Sequence, residues 1–203
     1  MRLLLVVIIA YLIGSIPFGY LVVRAKGGGD VRETGSGGTG ATNVSRNAGK
    51  AAGVFTLVLD ALKGALAVII ARLMLNVDNT EWLIAAAAIA VIVGHIFPVW
   101  LAFRGGKGVA TGVGVFLVLV PMAVLFAAMI FVGVVALTKY VSLGSILAAA
   151  SIPLFVWLFV LEVDLNPLLT AAIAGALLII YAHRGNIARL MSGTESRISD
   201  LKR

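Results

Sequence analysis

Three short polar segments of this chain carry the residue types that bind phosphate or move protons. The first, GGGDVRETGSGGTGATNVSRNAGK at 27–50, is rich in glycine, small hydroxyls and amides. Consecutive small residues expose backbone N–H groups that can surround an anion, and a helix starting near Ala51 would add its positive end. Gly35, Gly37 and Gly40 happen to match G-x-G-x-x-G, with Asp60 at the spacing of a ribose-binding acid. No strand pattern precedes Gly35, and Asp60 lies inside an apolar run, so a dinucleotide site is excluded. The second segment, RGGKGVAT at 104–111, sets Lys107 among Gly105, Gly106 and Gly108 at a helix start. It fails the Walker pattern, since Leu101 takes the first glycine position and Gly108 that of the Ser/Thr, yet a lysine so placed can serve as a phosphate clamp. In the third, AHRGNIARL at 182–190, His183, Asn186 and Leu190 share one helix face with Arg189 nearby, so imidazole and amide can meet one ligand.

Each segment also has a plain structural reading: a flexible loop, a basic turn at the membrane surface, or an amphipathic tail on anionic lipid. Asp60 and Lys63, three apart in an apolar run, can neutralise each other as a structural pair. Ser142 and Ser145 lie where two runs meet, and an N-cap role suffices for either. The chain has no cysteine, which excludes thiol nucleophiles, disulfides and Cys–zinc sites. The polar-face acids Asp30, Glu33, Glu195 and Asp200 are too dispersed for a metal cluster, so neither metal nor cofactor is expected.

The elements that must position these segments are membrane helices. Of 203 residues, 61% are hydrophobic and 12% charged, with mean hydropathy +1.10, far from a soluble domain. The hydrophobic runs predict an all-α, polytopic protein with seven spans at 3–23, 51–75, 82–103, 109–120, 122–138, 145–162 and 167–182. Residues 109–138 are too many for one crossing, and a turn at Val120–Pro121–Met122 divides them. The first run lacks a cleavage site and reads as a retained helix, and residues 1–203 read as a single domain. Of the 16 basic residues, all but Arg2, Lys63 and Arg72 fall in 24–50, 104–108, 139–144 or the tail. The alternate loops carry Asp78 and Glu81, or Glu162 and Asp164. The positive-inside rule then puts the N-terminus outside and the C-terminus in the cytoplasm, with all three polar segments on the cytoplasmic face. The net charge of +7 thus belongs to loops facing anionic lipid, and no nucleic-acid partner is expected.

The motifs GSIPFG (14–19), D-x-R-x-x-GSGGTGATN-x-x-R (30–46), D-x-LKG (60–64), GH-x-x-P (94–98), GGKGVAT (105–111), YVSLGS (140–145) and HR-x-NI-x-RL-x-x-G-x-E (183–195) span nearly the whole chain. In order and spacing they resemble the bacterial acyl-phosphate:glycerol-3-phosphate acyltransferases. The resemblance implies transfer of a fatty acyl group from acyl phosphate to the 1-hydroxyl of glycerol 3-phosphate. The products would be 1-acylglycerol 3-phosphate and phosphate, at the cytoplasmic side of a bacterial inner membrane, with no obligatory protein partner. It assigns Ser36 and Arg46 as essential groups with Thr42 and Asn43 beside them. Lys107 and its glycines correspond to the glycerol-3-phosphate loop, Ser145 to a serine at the polar substrate site, His183 and Asn186 to essential residues, and Glu195 to a glutamate that supports the fold. Gly38 stands where the family usually has Asn. An H-x-x-x-x-D pair is missing, since Trp100 follows His95 and Ala188 follows His183 at that distance. That absence favours an acyl donor already activated as a mixed anhydride over a thioester. A transporter would need more ionisable groups at mid-membrane than Asp60 and Lys63, and a head-group transferase would need an acidic cluster.

Overall fold

A computed structural model describes residues 2–75, 80–160 and 166–198, and these contain helices and no strand. The ten α-helices are α1 (Arg2–Ser15), α2 (Phe18–Ala25), α3 (Ala41–Ala48), α4 (Lys50–Met74), α5 (Glu81–Ile96), α6 (Val109–Leu119), α7 (Pro121–Thr138), α8 (Val141–Val160), α9 (Pro167–Ala182) and α10 (Arg184–Met191). Five stretches among the described residues are long and apolar enough to cross a membrane, and α9 with α10 makes a sixth if the pair counts as one span despite its 57° bend. Helix α6 has 11 residues, and at about 1.5 Å per residue it falls short of a ~30 Å hydrocarbon core. The acids Asp78, Glu162, Asp164 and Asp200, and the basic Lys202 and Arg203, lie outside the described residues.

The boundaries differ from the expected ones where local chemistry intervenes. The first run is broken into α1 and α2 at Ile16–Pro17, because proline has no N–H to continue the ladder. The segment 27–50 is not merely a glycine-rich loop, since it holds α3 and a short 3₁₀ turn at Val31–Glu33. The helix whose positive end adjoins the glycines is therefore α3, starting after Gly40, and not one near Ala51. Gly49, at φ 89°, breaks α3 from α4 in a conformation that glycine alone adopts freely. Helix α5 ends at Ile96, short of 103, because Pro98 terminates it. Helix α8 begins at Val141, so Ser142 and Ser145 lie inside its first turns and neither is an N-cap. The turn at Val120 is as expected, with Pro121 at the first helical position of α7.

The interior and exterior are those of a protein solvated by lipid. Leu73 and Leu137 are 75% and 86% exposed, while Asp60, Lys63, His95, Asn43 and His183 are buried. Helix α1 packs along α5, α4 along α6, and α7 along α8. Two of these crossings are made close by glycine: a Cβ on Gly14 would overlap the Val91 carbonyl, and one on Gly64 the Thr111 carbonyl. Close backbone approach supplies the dispersion contact that binds helices where lipid is as apolar as any side chain.

Candidate active site

Asn43, buried on α3, shapes the first polar segment. Its Nδ2 donates to the carbonyls of Val31, Thr34 and Gly38 at 2.7, 3.1 and 2.9 Å, and its Oδ1 accepts from the Ser36 N–H at 3.0 Å. That amide is committed to the loop and turns 31–38 into a fixed cradle in front of the α3 N-terminus. Gly35 takes φ 59° against the Asn43 side chain, and a Cβ there would overlap its oxygen. Arg32 pairs with Asp30 and donates through Nη1 to the Leu101 carbonyl at 2.8 Å. The Thr39 N–H reaches the Gly105 carbonyl at 3.4 Å. These two bonds tie the first segment to the second.

The second segment folds back onto the end of α5. Gly105 N–H donates to the Ile96 carbonyl at 3.0 Å and Gly106 N–H to that of His95 at 3.1 Å. Gly108, at φ 82°, then turns the chain into α6 and leaves Lys107 facing inward. Burial, chiefly, pushes the Lys107 ammonium down to about 8, helped by the cations Arg189 and Arg46 and opposed by Glu195.

His183 sits at the bend between α9 and α10, one residue past the apolar run 167–182. Its Nδ1 lies 2.8 Å from the Ile179 carbonyl, which can only accept, so Nδ1 carries the proton and Nε2 keeps the lone pair. Burial pushes this imidazole down to about 4, with the Lys107 cation assisting and the Ile179 bond opposing. Asn186 donates to Glu195 Oε1 and Arg189 Nε to Glu195 Oε2, both at 2.7 Å. Burial raises the Glu195 carboxyl, but the hydrogen bonds from Asn186 and Arg189, with the nearby Ser142 hydroxyl and the Arg189 charge, outweigh it and hold the group below its ordinary value. The tail is pinned where Ile198 N–H meets the Lys139 carbonyl at 2.9 Å and Arg197 stacks on Tyr140.

All three segments converge on one cavity of about 170 Å³. Of the residues expected at a site, Ser36, Gly40, Thr42, Asn43, Arg46, Gly106, Lys107, Gly108, Ser145, His183, Asn186, Glu195 and Asp60 line it. Gly35, Gly37, Gly105 and Lys63 do not line it, and neither does Leu190. Ser145 donates to the Val141 carbonyl at 2.9 Å. Sequence reasoning passed over His95 and Gly38 as site residues, and left Ser142 as a helix cap; each lines the cavity. The signal for His95 was its place one residue after Gly94 and shortly before the glycine loop. A second cavity of about 340 Å³ is walled by apolar side chains of α4, α6, α7, α8 and α9. It shares Leu57, Val109, Ala110 and Phe131 with the polar one. Among the described residues no three of His, Cys, Asp and Glu gather as a metal site.

The comparisons with known proteins agree with one another. The family model for glycerol-3-phosphate acyltransferase matches residues 4–193. The glycerol-3-phosphate acyltransferase of Geobacter sulfurreducens is 48% identical over 195 residues, covering 96% of each chain. That of Aquifex aeolicus is 44% identical over 197 residues, covering 97% of this chain and 100% of the other. The crystal structure of PlsY (YgiH), an integral membrane glycerol 3-phosphate acyltransferase, in its glycerol 3-phosphate form superposes with TM-score 0.90 at 42% identity, covering 100% of this chain and 98% of that one. Its lysophosphatidic acid form gives 0.86 at 42% identity, covering 97% and 95%.

Proposed function

This chain belongs to the glycerol-3-phosphate acyltransferase family of integral membrane acyltransferases, and on that premise we propose that it uses acyl phosphate to acylate the 1-hydroxyl of glycerol 3-phosphate. The observation that carries this reading is the joining of a polar cavity to an apolar one across Leu57, Val109, Ala110 and Phe131. A donor with a phosphate head on a long tail fits such a pair of chambers, with the tail between α4, α6 and α7 and the head among cations. Lys107 holds the glycerol 3-phosphate phosphate, while Arg46, Ser36, Thr42 and the α3 N-terminus face the acyl phosphate. Asn43 keeps that cradle in shape, as Glu195 does for Asn186.

The hydroxyl oxygen attacks the anhydride carbonyl, the bond from carbonyl carbon to phosphate oxygen breaks, and the proton leaves with the phosphate. His183 accepts a hydrogen bond from that hydroxyl at Nε2 and so aims it; an imidazole pushed down to about 4 is a weak base for an alcohol. Backbone N–H groups of the cradle face the charge that develops on the carbonyl oxygen. The cavity is bounded by the same segments that carry most of the basic residues, which supports a cytoplasmic site by the positive-inside rule. The seven-span arrangement, with N-terminus outside, C-terminus inside and one domain in the bacterial inner membrane, takes α6 as a short seventh crossing in a locally thinned bilayer.

The test is acyl transfer by the purified protein to glycerol 3-phosphate from palmitoyl phosphate, palmitoyl-CoA and palmitoyl carrier protein in parallel. Product is expected from palmitoyl phosphate alone. Equal or faster turnover with palmitoyl-CoA would sink the proposal.

A further inference from the structure

In the cavity wall, with Lys63 just behind it, lies a cluster of ionisable groups that the proposed reaction does not use. Lys63 Nζ is 2.8 Å from Asp60 Oδ1, and His95 Nδ1 faces the same oxygen at 3.5 Å. All three side chains are buried, with 4% or less exposed. Lys63 also donates to the Ile16 carbonyl at 2.8 Å, in the break between α1 and α2, and sits 5.5 Å over the Phe18 ring. The cluster thus joins that break, α4 and α5 at the level of the cavity, which Asp60 and His95 both line.

Stability alone is a poor reason for such a group. A buried ion pair returns little more than its desolvation cost, and apolar residues of like volume commonly replace one without loss. Ionisable groups at membrane depth mark function. The contact that gives this cluster a task is on the far side of the imidazole. The His95 ring lies against Gly106, so that a Cβ on Gly106 would overlap Nε2, and the backbone carbonyls of His95 and Ile96 accept from the N–H groups of Gly106 and Gly105. The floor under the glycine loop is therefore the His95 residue itself, whose other ring nitrogen lies 3.5 Å from the Asp60 carboxylate that Lys63 pairs with, and Lys107 is the next residue along.

We infer that His95, held by the Asp60–Lys63 pair, is a positioning residue that sets the Gly105–Gly108 loop and thereby aims Lys107 at the phosphate of glycerol 3-phosphate. The inference rests on the reading of this loop as the acceptor-phosphate site. It assigns Asp60, Lys63 and His95 to acceptor binding and not to the acyl donor.

The test is steady-state kinetics of the full chain in detergent for wild type, His95→Ala, Gly106→Ala, the double variant and Lys107→Ala. His95→Ala is expected to raise KM for glycerol 3-phosphate about 5-fold or more, with kcat and KM for acyl phosphate within about 2-fold. Gly106→Ala is expected to do the same, because its methyl group takes the space of the ring. In the double variant that space is free, so its KM should fall well below the product of the two single effects. An unchanged KM in folded His95→Ala, or single effects that simply multiply, would overturn the inference. Should His95→Ala fail to fold, Asp60→Asn/Lys63→Met keeps the ring and removes what orients it; an unchanged acceptor KM there is equally fatal. Lys107→Ala separates the two levels. If it raises KM while the His95 and Asp60/Lys63 variants do not, only the positioning role falls; if it too leaves KM unchanged, the loop is not the acceptor site and both fall.

Discussion

Lys107 titrates within reach of an ordinary assay. Burial pushes its ammonium down to about 8, whereas an unperturbed lysine stays charged to about pH 10.4. If only the ammonium form of the free enzyme binds the acceptor phosphate, KM for glycerol 3-phosphate scales as one plus the ratio of neutral to charged lysine. That factor is about 1.1 at pH 7 and about 11 at pH 9, a rise of about 10-fold. The sign follows from the depressed value: binding is intact below it and lost as pH climbs through it. The ceiling is set by the bond itself, since a hydrogen bond to a charged group contributes about 1.5–3 kcal/mol, and Lys107→Ala should cost about 10-fold or more in KM at pH 7. The assay is the initial rate of acyl transfer at saturating acyl phosphate from pH 7 to pH 9, a range in which the phosphate monoester is already a dianion. Lys107→Arg keeps a cation that does not titrate there, so its KM should be flat over the same range. A flat wild-type KM, or an alkaline rise that survives in Lys107→Arg, would mean that the Lys107 ammonium does not hold the acceptor phosphate.

His183→Gln keeps a hydrogen-bonding group and should retain substantial turnover with the acidic limb of its pH–rate profile unmoved, because an imidazole titrating at about 4 is already neutral across that limb. A loss of about 10²–10⁴-fold in kcat, in folded protein that binds both substrates, would make His183 the base instead. Glu195→Ala leaves the Asn186 amide and the Arg189 guanidinium without their 2.7 Å acceptors and should destabilise the fold by about 1–3 kcal/mol, read as a lowered Tm in detergent. Glu195→Gln should recover part of that loss; an unchanged Tm in Glu195→Ala would show that the carboxylate holds nothing.

What the sequence determined by itself follows from short-range chemistry. Apolar runs of spanning length dictated helices in lipid, and Pro121 divided the 109–138 run where it was expected to. The glycines around Lys107 and before Ala41 dictated backbone that could wrap an anion, and the order of seven motifs carried the family. Tertiary structure decided which ends of which helices meet. That the Asn43 amide turns inward to three loop carbonyls, and that Gly106 rests on the His95 ring, joins residues whose local patterns are silent about each other. It also decided that a helix, α3, forms within the polar segment, since Val44 is buried by neighbours and not by its own sequence run. The reason is the solvent. In water an apolar stripe tells which face of a helix is inside, but α7 and α8 are apolar all round, and lipid rewards every face alike. Their register is set by shape and by glycine contacts such as Gly144 against Phe131, which exist only once both helices are in place.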